Sequence, residues 1–222
     1  MEVFKMHCDN ELEKWRSETF WHKEPETIAW INSFKPESVF FDIGANIGIY
    51  TLYAAVKKHT VISFEPMRNN FIRLVENIIL NKFDNVIPLP VVVSNGYGKI
   101  EFSYNDDRVG ASGGQAGDID GWYKYITHSV TLDDFMSYNP NYIKIDVDGQ
   151  ELRIIKGMEH ILYMKMIDSC LVEIEGKKDK KAIRKIFEKY GYTADNEFNK
   201  LKYHSRNRRG SKGPENMVFT RE

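Results

Sequence analysis

From residue 39 onwards, short apolar runs alternate with stretches in which apolar residues recur at helical spacing. The short run Val39–Ile43 is typical of a strand that is buried on both faces of a parallel sheet. This alternation predicts strand–helix units joined by right-handed crossovers. The predicted strands are 39–43, 61–64, 86–93, 142–147, 169–174 and 216–220, and the predicted helices are 49–58, 69–81, 151–164 and 177–190.

The first 36 residues have a different pattern and predict a helical extension over residues 1–36, followed by one α/β domain over residues 37–222. Pro25 begins a segment with apolar residues at helical spacing, and proline is favoured in the first turn of a helix. We expect this helix to pack on the edge of the domain. A cap over a bound cofactor and a dimer contact are the alternatives.

Residues 105–127 are polar and glycine-rich, and they interrupt the alternation of strands and helices. A turn at residues 95–98 predicts a short hairpin just before them. A connection of this length inside a compact domain is usually functional. We therefore predict a mobile lid that ends in the aromatic residues Trp122, Tyr123 and Tyr125.

Composition and charge narrow the function classes. The chain has 222 residues, enough for one sizeable domain, and a net charge of −1, which gives no global electrostatic attraction to nucleic acid or anionic membranes. No apolar run approaches the ~18 residues of a membrane span, and the first residues lack the apolar core of a signal peptide. Cys8 and Cys170 are far apart, and Cys170 lies in an apolar stretch that predicts a buried, reduced thiol. These features predict a cytoplasmic protein.

The segment 42–48 joins the first strand to the first helix, where open α/β sheets bind ligands. Gly44 permits a tight turn, and Gly48 lets the helix approach its strand closely. Glu65 ends the second strand about twenty residues further on, where an acid can accept both hydroxyls of a ribose. The spacing G-x-x-x-G differs from the G-x-G-x-x-G of dinucleotide enzymes, and Asp42 suits a cationic amino-acid tail better than a pyrophosphate.

Several motifs resemble those of the FkbM-type methyltransferases, a branch of the class I S-adenosylmethionine-dependent enzymes. They are FFDIGANIGIYTL at 40–52, SFEP at 63–66, SVTLDDF at 129–135, YIKIDVDGQELRIIKGM at 142–158 and LVEIEG at 171–176. The family more often has glutamate where Asp148 stands. The resemblance implies a Rossmann-like α/β fold with a seven-strand, mostly parallel sheet, an antiparallel last strand and helices on both faces.

The resemblance also implies that S-adenosylmethionine is the cofactor and that its methyl group is usually transferred to an oxygen. It assigns a part of the cofactor to individual residues. For the methionine part these are Asp42, Gly44, Asn46 and Gly48, with Thr51 also within reach; for the ribose, Glu65; and near the adenine, Ser94.

Charged residues concentrate where the fourth and fifth predicted strands end. Asp146 and Asp148 follow the fourth strand, and Glu173 lies near the end of the fifth. Lys144 and Asp146 are two residues apart, so both point to the same face of the sheet. Charges this close are costly unless they are paired, hydrated or bound to a metal ion.

Three interpretations of these residues remain open. In the first they are structural, with Lys144 paired to an acid and Glu151 capping a helix. In the second, Asp146 is the general base or orients one. In the third, Asp146 and Glu173 bind Mg²⁺ or Mn²⁺, which lowers the pKa of the acceptor oxygen, as in several sugar and catechol methyltransferases of this fold. His204, in the polar tail, is a further candidate base.

The sequence thus predicts an S-adenosylmethionine-dependent O-methyltransferase that acts on a hydroxyl of a sugar, a nucleotide-sugar or a similar small polar acceptor. The sulfonium donor is already activated, so the protein has to align the reacting groups and assist proton loss. The alternatives are a methyltransferase of RNA or lipid and a nucleoside-binding protein without catalysis. Near-neutral charge makes nucleic acid an unlikely partner, and Asp146 favours an enzyme. A homodimer is also open.

Overall fold

The computed structural model describes residues 4–117, 120–174, 176–195, 197–198 and 215–221. Its strands are, in chain order, β1 (Val39–Ile43), β2 (Thr60–Phe64), β3 (Val86–Leu89), β4 (Val92–Val93), β5 (Gly98–Tyr104), β6 (Gln115–Ala116), β7 (Tyr123–Val130), β8 (Tyr142–Ile145), β9 (Ser169–Ile174), β10 (Tyr192–Ala194) and β11 (Glu215–Arg221). Its α-helices are α1 (Glu11–Lys23), α2 (Pro25–Asn32), α3 (Ile49–Val56), α4 (Arg68–Asn81), α5 (Glu151–Lys156), α6 (Glu159–Tyr163) and α7 (Lys177–Lys189), and a 3-10 helix covers Leu132–Tyr138.

The central sheet has seven strands in the order β3-β2-β1-β8-β9-β11-β10. The first five pair in parallel, and β11 lies antiparallel to both of its neighbours. Helices cover both faces of this sheet, so successive residues of β1 lie in different cores. Phe40 packs in the core that contains α2 and α3, and Phe41 packs in the core that contains α5, α6 and α7. The predicted class I Rossmann-like fold, with its antiparallel last strand, is confirmed.

The N-terminal helices pack against one face of this sheet. Helix α2 begins at Pro25, as predicted, and its Trp30 donates a hydrogen bond from Nε1 to Ser169 Oγ at 2.9 Å. The ring of Phe34 stacks on that of Tyr142, with the ring centroids 3.8 Å apart. The division of the chain into an extension over residues 1–36 and a domain over 37–222 stays a prediction.

A second, four-stranded sheet in the order β4-β7-β5-β6 corrects three predictions. The predicted strand 86–93 is two strands in different sheets, because Pro90 between them has no amide donor for a ladder. The predicted hairpin after it is wrong, since β4 and β5 each pair with β7 and not with each other. Residues 123–127, predicted as the end of the loop 105–127, belong to strand β7 (Tyr123–Val130), which is rich in aromatic and β-branched residues.

The predicted helix 151–164 is also two helices, α5 and α6, which are separated at Gly157. A Cβ atom on Gly157 would lie 2.1 Å from the carbonyl oxygen of Ser94. The chain therefore needs glycine here, because the end of α5 packs directly on the backbone that follows β4.

None of the described helices is long and apolar enough to cross a membrane. Cys8 and Cys170 are free, and burial raises the pKa of the Cys170 thiol. This side chain is fully buried among the apolar residues of the sheet. The cytoplasmic location and the homodimer stay predictions from the sequence.

Candidate active site

A cavity that is partly open to solvent lies at the carboxyl ends of the parallel strands. Residues that follow β1, β2 and β8 line it, namely Gly44, Glu65 and Asp146, together with Glu173 near the end of β9. Helix α1 contributes Arg16 to the wall. This position is that of a ligand site in an open α/β sheet.

The two glycines of segment 42–48 serve different contacts. Gly44 has a φ of +82°, and a Cβ atom there would lie 1.9 Å from the carbonyl oxygen of Asp146, so the loop passes directly against the end of β8. Gly48 has a φ of +92°, and its Cβ atom would lie 2.4 Å from Leu74 Cδ1 on α4. The close approach predicted between helix and strand at Gly48 is therefore wrong, because it is the packing of α3 on α4 that requires this glycine.

Glu65, the predicted ribose ligand, is buried and held in one orientation by two backbone amides. Its Oε2 accepts a hydrogen bond from Asn46 N at 2.7 Å, and its Oε1 accepts one from Met67 N at 2.8 Å. Burial raises the pKa of Glu65 to about 7, against the opposing effects of these hydrogen bonds and of Arg16. Each carboxylate oxygen has a second lone pair, so both can still accept a hydroxyl hydrogen bond.

Asn46 connects segment 42–48, which we call the glycine loop, to the opposite wall of the cavity. With a φ of +53°, it donates from Nδ2 to the carbonyl oxygen of Ala111 at 2.7 Å. Asn70 on α4 donates to the same oxygen at 2.9 Å and accepts from Gly110 N at 2.8 Å. Asn70 was not predicted from the sequence, and its signal there is a polar residue on the buried side of an amphipathic helix.

Residues 111–116, which we call the strap, form this opposite wall. Asp148 holds the second half of the strap. Its Oδ2 accepts a hydrogen bond from Gly113 N at 2.7 Å, and the carbonyl oxygen of Asp148 accepts one from Gln115 Nε2 at 3.0 Å. The strap is part of the predicted lid, residues 105–127. In this structure Ala111 is held by Asn46 and Asn70, and the second half of the strap is held by Asp148. Its opening during turnover stays a prediction.

The aromatic residues at the end of the predicted lid lie in the second sheet. Tyr123 stacks on Tyr104, with ring centroids 5.2 Å apart, and the Tyr125 hydroxyl donates to the carbonyl oxygen of Pro66. Trp122 is 88% exposed and remains accessible to a ligand. Stacking of these rings on a sugar stays a prediction.

Asp42 and Thr51 lie behind the cavity wall. Thr51 donates from its hydroxyl to Asp42 Oδ2 at 2.6 Å, and both side chains are buried. Burial raises the pKa of Asp42, while Lys144 and Thr51 oppose this effect. Asp42 Oδ1 is buried and has no hydrogen-bond partner among the described residues. The contact of Asp42 with the methionine part of a cofactor stays a prediction.

The predicted adenine contact, Ser94, has a buried side chain that is not part of the cavity wall. The two residues just before it, Val92 and Val93, do line the cavity. Phe102 from β5 completes this apolar part of the wall. The sequence does not indicate Phe102, because the pairing of the second sheet was not predicted.

The charged residues after β8 and β9 form one connected group. Lys144 is 1% exposed and donates from Nζ to Asp146 Oδ2 at 2.6 Å. The carboxyl groups of Asp146 and Glu173 are close enough for each to shift the pKa of the other. Burial alone would raise the pKa of Asp146, but Lys144 and Glu173 outweigh it and hold the pKa well below its usual range. Burial and the charge of Asp146 raise the pKa of Glu173 to about 9.

Other charged contacts surround this group. Glu24 accepts from the hydroxyl of Tyr50 at 2.9 Å and pairs with Lys23 at 2.7 Å, and Lys23 lines the cavity. The ammonium of Lys144 lies 5.0 Å from the centroid of the Tyr50 ring. Glu151 accepts from Gly149 N at 2.9 Å at the start of α5, which fits its structural interpretation.

The predicted binding of Mg²⁺ or Mn²⁺ by Asp146 and Glu173 stays a prediction. One Asp146 oxygen already accepts a hydrogen bond from the Lys144 ammonium, so water would have to supply most of the oxygen ligands that these ions need. In the described part of the chain, no three His, Cys, Asp or Glu side chains are grouped to hold a metal ion. His204 lies outside the described residues, and its role stays a prediction.

Comparison with known proteins gives consistent matches. Residues 42–194 match the methyltransferase FkbM domain. The chain is 31% identical over 152 residues to the hexuronic acid methyltransferase AglP of Haloferax volcanii, which covers 68% of this chain and 61% of that protein. It is 25% identical over 184 residues to methyltransferase 1 of Beauveria bassiana, which covers 72% of this chain and 74% of that protein.

Among solved structures, methyltransferase FkbM from Methylobacillus flagellatus KT has a TM-score of 0.61 at 15% identity, with 97% of this chain and 56% of that chain covered. The sheet order, the cavity at its carboxyl edge and the similarity to this structure show the class I methyltransferase fold. The chain belongs to the FkbM methyltransferase family. It spans 61% of the length of AglP, so the substrate of that relative is not transferred by similarity alone.

Proposed function

We propose that the protein transfers a methyl group from S-adenosylmethionine to a hydroxyl of a sugar or nucleotide-sugar. The observation that carries this proposal is that Glu65 and the Asp146–Glu173 pair line one cavity. A carboxylate suited to bind a ribose and a carboxyl pair suited to proton transfer therefore line the same cavity. The hexuronic acid methyltransferase among the relatives supports a sugar as the acceptor.

The cavity residues fit the parts of the cofactor in order. Glu65 keeps an acceptor position on each oxygen for the ribose hydroxyls, and the turn at Gly44 lies beside the methionine part. Val92 and Phe102 offer an apolar surface to the adenine. When bound, the sulfonium of S-adenosylmethionine supplies the activated methyl group.

Lys144, Asp146 and Glu173 would then assist proton loss from the acceptor. Lys144 keeps Asp146 ionised, so Asp146 is suited to accept the hydrogen bond of the acceptor hydroxyl and to orient it. Glu173 is the more basic member of the pair, and its ionised form takes the proton as the methyl arrives. This mechanism is close to the second interpretation of the sequence, but Glu173 is the base and Asp146 orients the acceptor.

The test is methyl transfer from S-[methyl-³H]-adenosylmethionine to a panel of hexoses, hexuronic acids, nucleotide-sugars, RNA and phospholipid vesicles. Each product is then treated with mild alkali, which hydrolyses a methyl ester and leaves a methyl ether intact. We expect an alkali-stable sugar product. An alkali-labile product from a hexuronic acid would move the reaction from a hydroxyl to a carboxyl oxygen. Transfer to RNA or lipid alone, or to no acceptor, would overturn the proposal.

A further inference from the structure

Arg16 is a cation of the cavity wall that the predicted reaction does not use. It lies in the second turn of α1, and its Nε donates to the carbonyl oxygen of Gly110 at 2.7 Å. Within the described ranges it forms no ion pair with an acidic side chain. A guanidinium has five N–H donors, so most of its hydrogen-bonding capacity is not used by this contact. Burial lowers the pKa of Arg16, which shows that its charge is poorly solvated.

The contacts of Arg16 place it near the methionine end of the cavity. Gly110, whose carbonyl oxygen it contacts, is adjacent to Ala111, whose carbonyl oxygen accepts from Asn46 Nδ2 at 2.7 Å. Arg16 and the glycine loop therefore hold consecutive peptide groups of the same segment. Asp146 and Glu65 are among the acids whose charges raise the pKa of Arg16. They lie on either side of the glycine loop.

The other cations near the cavity already have partners. Lys23 pairs with Glu24 at 2.7 Å, and Lys144 pairs with Asp146 at 2.6 Å. A free amino-acid moiety carries an ammonium and a carboxylate, and the acids of the site suit only the ammonium. A planar guanidinium binds a carboxylate through two parallel hydrogen bonds.

We propose that Arg16 binds the carboxylate of the methionine part of the cofactor, so that helix α1 belongs to the cofactor site. This inference rests on the proposed S-adenosylmethionine dependence. It gives the N-terminal helices a function beyond packing, because the site is then incomplete without them.

The test measures, by calorimetry, the affinity of two ligands for the wild-type protein and for Arg16→Met. The ligands are S-adenosylhomocysteine and its decarboxylated analogue, which keeps the amine and lacks only the carboxylate. Arg16→Met removes the charge and keeps an unbranched apolar stem. We expect this variant to bind S-adenosylhomocysteine more weakly by on the order of tenfold to a hundredfold, and to bind the analogue with less than about a threefold change.

Lys14→Met is the matched control, because it removes a cation from an exposed position of the same helix, and it should change neither affinity. Equal losses for both ligands in Arg16→Met would show that Arg16 acts through Gly110, and would overturn the proposal. Unchanged affinities combined with a raised KM for hexuronic acids would place the carboxylate on the acceptor and would also overturn it. If Arg16→Met does not fold, Arg16→Gln serves the same comparison. Absence of S-adenosylhomocysteine binding in the wild type would instead contradict the proposed function.

Discussion

The ammonium of Lys144 lies 2.6 Å from Asp146 Oδ2 while Lys144 is only 1% exposed, so a full ion pair is held at the edge of the sheet core. The period of two along β8 puts both side chains on one face. Lys144 also faces Asp42, whose pKa burial raises and Lys144 lowers. One buried cation therefore compensates one buried acid, Asp42, and one partly exposed acid, Asp146.

This arrangement predicts that Lys144→Met strongly destabilises the fold. The substitution leaves Asp42 and Asp146 without their countercharge, and breaking a buried pair in this way costs about 3–5 kcal/mol. The measurement is the free energy of unfolding in urea. Lys35→Met is the control, since Lys35 forms a solvent-exposed pair with Asp168, and its effect should be far smaller. Equal effects of the two substitutions would contradict the role given to Lys144.

A second prediction concerns Glu65 and cofactor affinity. Glu65→Ala should weaken S-adenosylhomocysteine binding by roughly 1–3 kcal/mol, because the ribose hydroxyls lose a charged acceptor. The pKa of Glu65 is raised to about 7, and the ionised carboxylate is the better acceptor. Wild-type affinity should therefore fall as the pH drops below about 7. Calorimetry between pH 5.5 and 8.5 measures both effects.

The control for this experiment is Glu65→Gln, which does not ionise and should remove the fall in affinity at low pH. Glu101→Ala, which changes an acid on β5 paired with Lys124, should leave affinity and pH dependence unchanged. Unchanged affinity in Glu65→Ala would contradict the assignment of the ribose site.

A third prediction concerns the strap. Asp148 has a φ of +52° and holds Gly113, so Asp148→Gly removes the acceptor while keeping a residue that tolerates this backbone conformation. The strap lines the cofactor cavity, and we expect S-adenosylhomocysteine to dissociate about two- to tenfold faster in stopped-flow measurements. Asp106→Gly, in the same segment but outside the strap, should not change the rate. A rate unchanged in Asp148→Gly would mean that the hydrogen bond to Gly113 does not hold the strap in solution.

The parts of the fold that follow from the sequence are those set by local patterns. Strand β9 and helix α7 were predicted almost to the residue, because buried strands and amphipathic helices show their period within a few residues. The second sheet was not predicted, because the choice of β7 as the partner of β5 depends on contacts across residues 105–122. No short pattern encodes such a choice.

The same distinction applies to the site. Gly44 and Glu65 were found because the backbone turn and the strand end require particular residue types at a fixed spacing. Arg16 and Asn70 were missed because they meet Gly110 across 94 and 40 residues of sequence, and nothing near them marks the contact. The predicted metal pair, Asp146 with Glu173, stays a prediction, and the sequence does not show that the Lys144 ammonium already contacts Asp146.

The last prediction concerns proton transfer. The pKa of Glu173 is raised to about 9, so at neutral pH the side chain is mostly protonated and cannot act as a base. Turnover should therefore rise with pH by about tenfold per unit, and level off at or below about 9, because a bound sulfonium favours the ionised carboxylate. Glu173→Gln should lower turnover and remove this rise. A rise that persists in Glu173→Gln and disappears in His204→Ala would assign the base to His204.

The same assays in excess EDTA separate this mechanism from metal catalysis. Because Lys144 supplies the positive charge beside Asp146, we expect the pH profile and the maximal rate to be unchanged by the chelator. Asp146→Asn keeps the shape of the side chain and removes the charge that orients the acceptor and raises the pKa of Glu173, so its turnover should fall by roughly 10²–10⁴-fold. Activity that is lost in EDTA and restored by Mg²⁺ or Mn²⁺ would show that the reaction needs a metal ion. Wild-type turnover in Asp146→Asn would reject both mechanisms, because each requires this carboxylate.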